Sequence, residues 1–213
     1  MFKEHSLELF TTFLLLVLML TRKRMILMIL DVVRHGQSVL NSQKRFAGST
    51  DTPLTEFGEE QARLLAEQIK DEKYDLIVSS NLQRALKTAE ILHEGRQEPL
   101  VVMPDFAERC LGIFEGLSYD EIEEKGLTEM ADQGLKLVDA APPEAESMRQ
   151  VSLRVERGLK QIQHQGVAKV LLVCHGFVIK EINRRLNNLS FEEMEDFRAA
   201  NCELVRFIIA DSE

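Results

Sequence analysis

No two of the three cysteines, Cys110, Cys174 and Cys202, lie close enough in the chain to make a Cys-x-x-Cys pair, and an odd number spread this widely gives no disulfide framework. A reducing cytosol is the expected setting. Metal templates are missing as well: no His-Glu-x-x-His occurs among the five histidines, and His5, His93 and His164 have no ligand-spaced companions. No catalytic metal is expected. Basic residues never gather along a helix face or interleave with aromatics, and 26 Lys plus Arg stand against 35 Asp plus Glu, a formal charge of −9. Nucleic acid is therefore not an expected partner, and an anionic small substrate needs a local cationic pocket working against the acidic average. There is no repeat of solenoid period and no low-complexity linker, so the 213 residues read as one domain with a short appendage.

The appendage is at the N-terminus. Phe10 to Thr21 is almost wholly apolar and stops at Arg22-Lys23-Arg24, which is shorter than the roughly 20 residues needed to cross a bilayer. A cleavable signal peptide fits badly, because the positive cluster follows the apolar run and no Ala-x-Ala-like site comes after it. Two readings of residues 1–24 stay open: an upstream extension of a chain that naturally starts at Met25, or a marginal anchor in which residues 9–24 contact a membrane with Arg22-Lys23-Arg24 on the cytoplasmic side. Residues 25–213 are the expected catalytic domain, cytoplasmic in the first reading and membrane-associated in the second.

Within that domain, Ile26 to Val33, interrupted only by Asp31, and Ala168 to Cys174 read as buried, parallel strands, each followed by a His-Gly pair. Asp75 to Ser79, Leu100 to Met103 and Cys202 to Ile209 are further strand candidates. Helices are expected over Thr55 to Lys70, over Ser80 to Leu92 with a Ser80-x-x-Gln83 capping-box spacing, over Glu144 to Gln165 after Pro142-Pro143, and over Val178 to Leu186. Strands alternating with helices in this way predict a three-layer α/β/α sandwich with a mainly parallel sheet.

In such sheets ligands gather beyond the carboxyl ends of the strands. Arg34-His35-Gly36 sits at one such end, Ser79-Ser80 with Arg84 at another, and His175-Gly176 at a third. Phosphoryl transfer needs neutralised phosphate charge, an in-line nucleophile and a proton for the leaving oxygen. Arg34 and Arg84 can supply forked cationic donors. A neutral imidazole is a competent nucleophile, and nearby cations keep it neutral. A protonated His175 can donate to phosphate oxygens, and Glu108, after the strand Leu100 to Met103, is the choice for the acid, with Glu115 as its rival. Asp31 reads as a buried structural acid. Cys174 reads as a core residue, because position 180, where a cysteine phosphatase wants arginine, is lysine.

These residues resemble the histidine phosphatases, the phosphoglycerate mutase-like superfamily. Arg34-His35-Gly36-Gln37-Ser38-Val39-Leu40-Asn41 is similar to its signature, and the likeness continues through Phe46 to Thr55, Gly58 to Ala62 and Ser79 to Ala85 with Thr88-Ala89. It then takes in Glu108 to Gly116, Glu146-Ser147 and His175-Gly176. The resemblance implies that His35 is phosphorylated, that Arg34, Arg84 and His175 hold the phosphate, and that Glu108 protonates the leaving group and then activates water. It also implies that Asn41 touches the phosphate, that no metal or nucleotide cofactor takes part, and that the fold is phosphoglycerate mutase-like.

Phosphatase and mutase share the phosphohistidine step, and a mutase must also hold a carboxylate and shield the phosphoenzyme from water. From Glu115 to Glu146 there are ten acidic residues and only two basic ones, Lys125 and Lys136. The adjacent arginines that mark mutases are absent, Cys110 and Leu111 replace their histidine and aromatic, Ala47 stands where they place a hydroxyl, and the core is short. The expected activity is therefore a phosphomonoester hydrolase acting on a small phosphorylated substrate. The alternatives are a cofactor-dependent phosphoglycerate mutase-type phosphotransferase and, from another class, a non-catalytic phosphate-binding or regulatory module.

Overall fold

The computed structural model describes residues 27–210, so the expectations for residues 1–24 lie outside the described residues. The elements run β1 (Leu27–Arg34), α1 (Val39–Ser42), α2 (Glu56–Gln68), β2 (Leu76–Ser79), α3 (Gln83–His93), β3 (Leu100–Val102), α4 (Tyr119–Glu124), α5 (Met148–Gln163), β4 (Lys169–Cys174), α6 (Gly176–Leu186) and β5 (Leu204–Ala210). The sheet order is β3-β2-β4-β1-β5, with β5 alone antiparallel.

Strand alternation divides the core between the two faces of the sheet. Leu30, Val32, Val78, Val170 and Leu172 meet Val151, Val155 and Ile162 of α5 and Val178, Ile179 and Ile182 of α6. On the other face, Val33, Ile77, Leu171 and Val173 meet Leu65 of α2 and Ala85, Ala89 and Leu92 of α3. The three-layer sandwich is thus present. Asp31, fully buried on the second of those faces, is held by Arg206 on the neighbouring strand (2.7 and 2.8 Å) and by the Tyr74 hydroxyl (3.0 Å). Its role is structural. Among the described residues no helix is long and apolar enough to cross a membrane.

Several boundaries differ from expectation for local reasons. Ser80 does not cap α3: that helix opens at Gln83 with no side-chain cap, and the Ser80 hydroxyl accepts from the Leu82 amide (3.2 Å) and pairs with His175. Helix α5 starts at Met148 rather than Glu144, because Ser147 and Gln150 form a complete capping box while Glu144 has φ +63°. The last strand starts at Leu204 because Cys202 has φ +55°. Helix α6 starts two residues early, at Gly176. The short α1 and α4 were not anticipated.

Candidate active site

Because β1, β4 and β2 are adjacent, their carboxyl ends deliver the separated motifs to one rim. Arg34 is in register with Cys174 and Ser79 with Val173. The chain is stitched just beyond those ends: the His35 amide donates to Cys174 O and the Ser80 amide to Val173 O, both at 3.0 Å. Gly36 is needed where the chain leaves β1, since a Cβ there would run into the Gly58 backbone at the start of α2.

His35 is 3% exposed. Its Nδ1 lies 2.7 Å from Gly36 O, and its Nε2 receives the Arg84 Nε–H at 3.2 Å. A carbonyl can only accept and a guanidinium can only donate, so the proton belongs on Nδ1 and the lone pair on Nε2. Burial first, then Arg84 and Arg34, hold the ring well below the usual histidine pKa, against the Gly36 hydrogen bond. Arg84, 1% exposed, is itself fixed by Thr50 O (2.8 Å) and Gly48 O (2.7 Å). Arg34 spends one terminal nitrogen on Ala199 O (2.8 Å), and its buried Nε has no partner among the described residues.

His175 stands beside His35, with ring centroids 5.0 Å apart. Its Nε2 is 2.8 Å from Ser80 Oγ, and its Nδ1 is buried without a partner among the described residues. Burial, followed by His35 and Arg84, keeps its pKa well below the ordinary value. Burial thus disfavours the protonated ring in the free protein, and the donation expected of a protonated His175 is tied to the arrival of a phosphate charge. Ser80 Oγ, which accepts from Leu82, can turn its own proton to Nε2, which leaves an Nδ1–H as the ring's donor.

A cavity of about 260 Å³ opens beside His35, lined also by Arg34, Asn41, Arg84, Glu108 and a rim of Arg45, Phe46, Ala47, Gly48, Arg109, Leu111 and Phe177. The Glu108 carboxylate is steadied by two amides, those of Arg109 (2.8 Å) and Phe177 (3.3 Å), the latter in the first turn of α6. A Cβ on Gly176 would lie 3.7 Å from Arg34 Nε and 3.9 Å from Glu108 Oε2, so these two groups flank one glycine. The rival, Glu115, does not line the cavity; its oxygens are taken by Ser49, Thr50 and Leu111. Asn41 lines the cavity from α1, its Oδ1 accepting from Ser38 N at 3.3 Å. Cys174 is buried, and burial pushes its thiol well above the usual range, so it is a poor nucleophile. Among the described residues no cluster of three or more His, Cys, Asp or Glu could hold a metal.

Two rim cations were not found from sequence. Arg45 forks onto Glu121 from 76 residues away, and Arg109, 3% exposed, donates to Glu146 O and Leu135 O and lies over the Phe177 ring, leaving one terminal nitrogen unpartnered. Only the adjacency of Arg109 to Glu108 could have marked it.

A family model for the histidine phosphatase superfamily (branch 1) matches residues 30–213. The chain is 33% identical over 183 residues to a Bacillus subtilis protein named uncharacterized phosphatase PhoE, covering 85% of this chain and 89% of that one. It is 35% identical over 185 residues to 2,3-bisphosphoglycerate-dependent phosphoglycerate mutase 2 of Gloeobacter violaceus, covering 84% of each. Among solved structures, the mycobacterial glucosyl-3-phosphoglycerate phosphatase with VO3 superposes with a TM-score of 0.76 at 27% identity, over 84% of this chain and 90% of that one.

Proposed function

The chain belongs to the histidine phosphatase superfamily, and from that we propose that it is a phosphomonoester hydrolase working through a phosphohistidine on His35. The observation that carries this is the His35 Nε2 lone pair, oriented by Arg84 in a cavity that also contains the Glu108 carboxylate.

The steps follow from the donors present. A phosphate entering the cavity is neutralised by Arg34 and Arg84, with the Asn41 amide as an uncharged donor and His175, whose ring stands beside that of His35, as a further one. Nε2 attacks phosphorus opposite the leaving oxygen, and the Arg84 Nε–H that held the lone pair turns to a phosphoryl oxygen. Glu108, entering the step as the neutral acid, gives its proton to the departing oxygen; the carboxylate left behind takes a proton from the water that cleaves the N–P bond, which restores the acid while the bonding pair returns to Nε2. A cavity of about 260 Å³ with Phe46, Leu111 and Phe177 on its rim fits a small phosphorylated substrate. The three unpaired cysteines favour a cytosolic setting.

The mutase reading keeps one specific support, Arg109 among the residues that line the cavity, a cation that could take a substrate carboxylate if its buried, unpartnered terminal nitrogen turned outward. Against it, Arg45 is partly committed to Glu121 and the segment from Glu115 to Glu146 is acidic. A metal-free assay with an aryl phosphate and with 3-phosphoglycerate separates the readings. Phosphate release, with radiolabel trapped on the parent chain and none on His35→Ala, is the expected result. Formation of 2-phosphoglycerate would make it a mutase, and inactivity across a broad panel would make it a binding module.

A further inference from the structure

Glu115 lies outside the cavity, yet it is tied to the loop that surrounds Arg84. Its Oε1 accepts from the Ser49 amide (2.7 Å), the Ser49 hydroxyl (2.9 Å) and the Leu111 amide (2.9 Å), and its Oε2 accepts from the Thr50 hydroxyl (2.5 Å). Residues 48–50 are the ones that fix the guanidinium: Gly48 O and Thr50 O each accept from a terminal nitrogen of Arg84. A second tie holds the same loop, with the Phe46 amide donating to Leu117 O (2.9 Å) and the Gly116 amide to Phe46 O (2.7 Å).

We propose that Glu115 is a positioning residue for phosphoryl transfer: it anchors Ser49 and Thr50, their loop aims two carbonyls at Arg84, and Arg84 presents its Nε–H to His35 Nε2. The inference rests on the hydrolase reading of His35. Glu115 is suited to the task because it is ionised. Burial alone would raise its pKa, and the hydrogen bonds from Thr50, Leu111 and Ser49 more than offset this. Gly48 makes the closure sterically feasible. It has φ +50°, and a Cβ there would overlap the Glu115 carboxylate, so only glycine lets the acid sit on this loop. Without Glu115 the two carbonyls lose their anchor, and Arg84 keeps its charge but not its aim. A displacement on the order of 1 Å in such a group costs up to about a hundredfold in rate.

The test is a double-mutant cycle on the full chain, comparing the parent, Glu115→Ala, Arg84→Ala and the double variant by kcat/KM on an aryl phosphate, with thermal unfolding recorded for each. Glu115→Ala is expected to lose about 30-fold, Arg84→Ala about 1,000-fold, and the double variant no more than about twofold beyond Arg84→Ala, because Glu115 has no route to His35 once Arg84 is gone. A general structural role would instead give multiplied losses, and that result overturns the proposal. If Glu115→Ala does not fold, Gly48→Ala takes its place in the cycle, since the added Cβ displaces the carboxylate from the other side. A parent chain that neither releases phosphate nor forms a phosphoenzyme overturns the hydrolase reading and the positioning role with it. An active parent with multiplied losses overturns the positioning role alone.

Discussion

The groups assigned to the phosphate come from the ends of three hydrogen-bonded strands, whereas those facing the rest of the substrate come from loops and from the lid between Leu111 and Glu146. The floor is buried and over-determined: His35, Arg84 and His175 are each 3% exposed or less, and each is tied to backbone or to Ser80. The lid has only a small apolar cluster of its own, around Phe114, Ile122 and Ala131, and it reaches the rim through an Arg45–Glu121 pair whose side chains are about a third exposed. A division of labour follows. On the proposed reading the floor fixes the reaction whatever the leaving group, and the lid can change its preference among leaving groups without disturbing His35.

If that division is real, substitutions in the floor should affect every substrate and those in the lid only some. His35→Ala is the extreme case: turnover of all phosphate esters should fall on the order of 10⁵-fold, with no trapped phosphoenzyme. Retention of more than about one percent of activity on any ester would place the nucleophile elsewhere. Glu108→Gln sits at the boundary of floor and lid. It should slow phosphoenzyme formation, read as kcat/KM, by about 1,000-fold for alkyl phosphates and by less than about tenfold for a nitrophenyl phosphate, since in that step only a poor leaving group needs the proton. Equal slowing would move the acid role to another group.

The same division explains what could be read from sequence. Buried parallel strands are continuous apolar runs, so β1 and β4 announce themselves, and the His-Gly pairs that follow them mark the site. What stays hidden depends on distant pairing. Nothing local to Ser80 says that its hydroxyl meets His175 rather than caps a helix, and nothing local to Arg45 names Glu121. Glu115 reads as a rival acid in the sequence because its nearness to Glu108 says nothing about the loop it holds. The lid helix α4 escaped notice because it is only six residues long and packs on a cluster assembled from Phe46, Leu117 and Leu127.

Acid sensitivity offers a test of the buried floor that needs no substrate. Both His35 and His175 have pKa values well below normal in the folded chain, chiefly through burial. Above about pH 6.5 neither state takes up a proton on these rings, so they make folding no more or less stable. Below it the unfolded chain binds two protons that the folded chain refuses, so stability falls with falling pH, by about 1.4 kcal/mol per pH unit for each ring. Urea unfolding at pH 7.5, 6.5 and 5.5 should therefore be flat over the upper interval and steep over the lower one. His35→Ala should flatten the lower interval by about half. An unchanged lower slope in that variant would show that the ring is hydrated and free to protonate, and the contrast between floor and lid would lose its basis.

The smallest effect belongs to the lid. Arg45 donates to Gly116 O and forks onto Glu121, and the exposure of both side chains lets solvent and salt screen the pair. Arg45→Ala removes one rim cation and leaves every hydrogen bond to His35, Arg84 and His175 in place. Turnover of a neutral aryl phosphate should stay within about twofold of the parent, while KM for an ester with an anionic leaving group rises about three- to tenfold at low salt and by less at high salt. Measuring both substrates at two ionic strengths checks this. A fall in turnover shared by both would mean that the Arg45–Glu121 tie steadies the loop at residues 46–50 and, through it, Arg84, so that the lid and the floor are one mechanical unit.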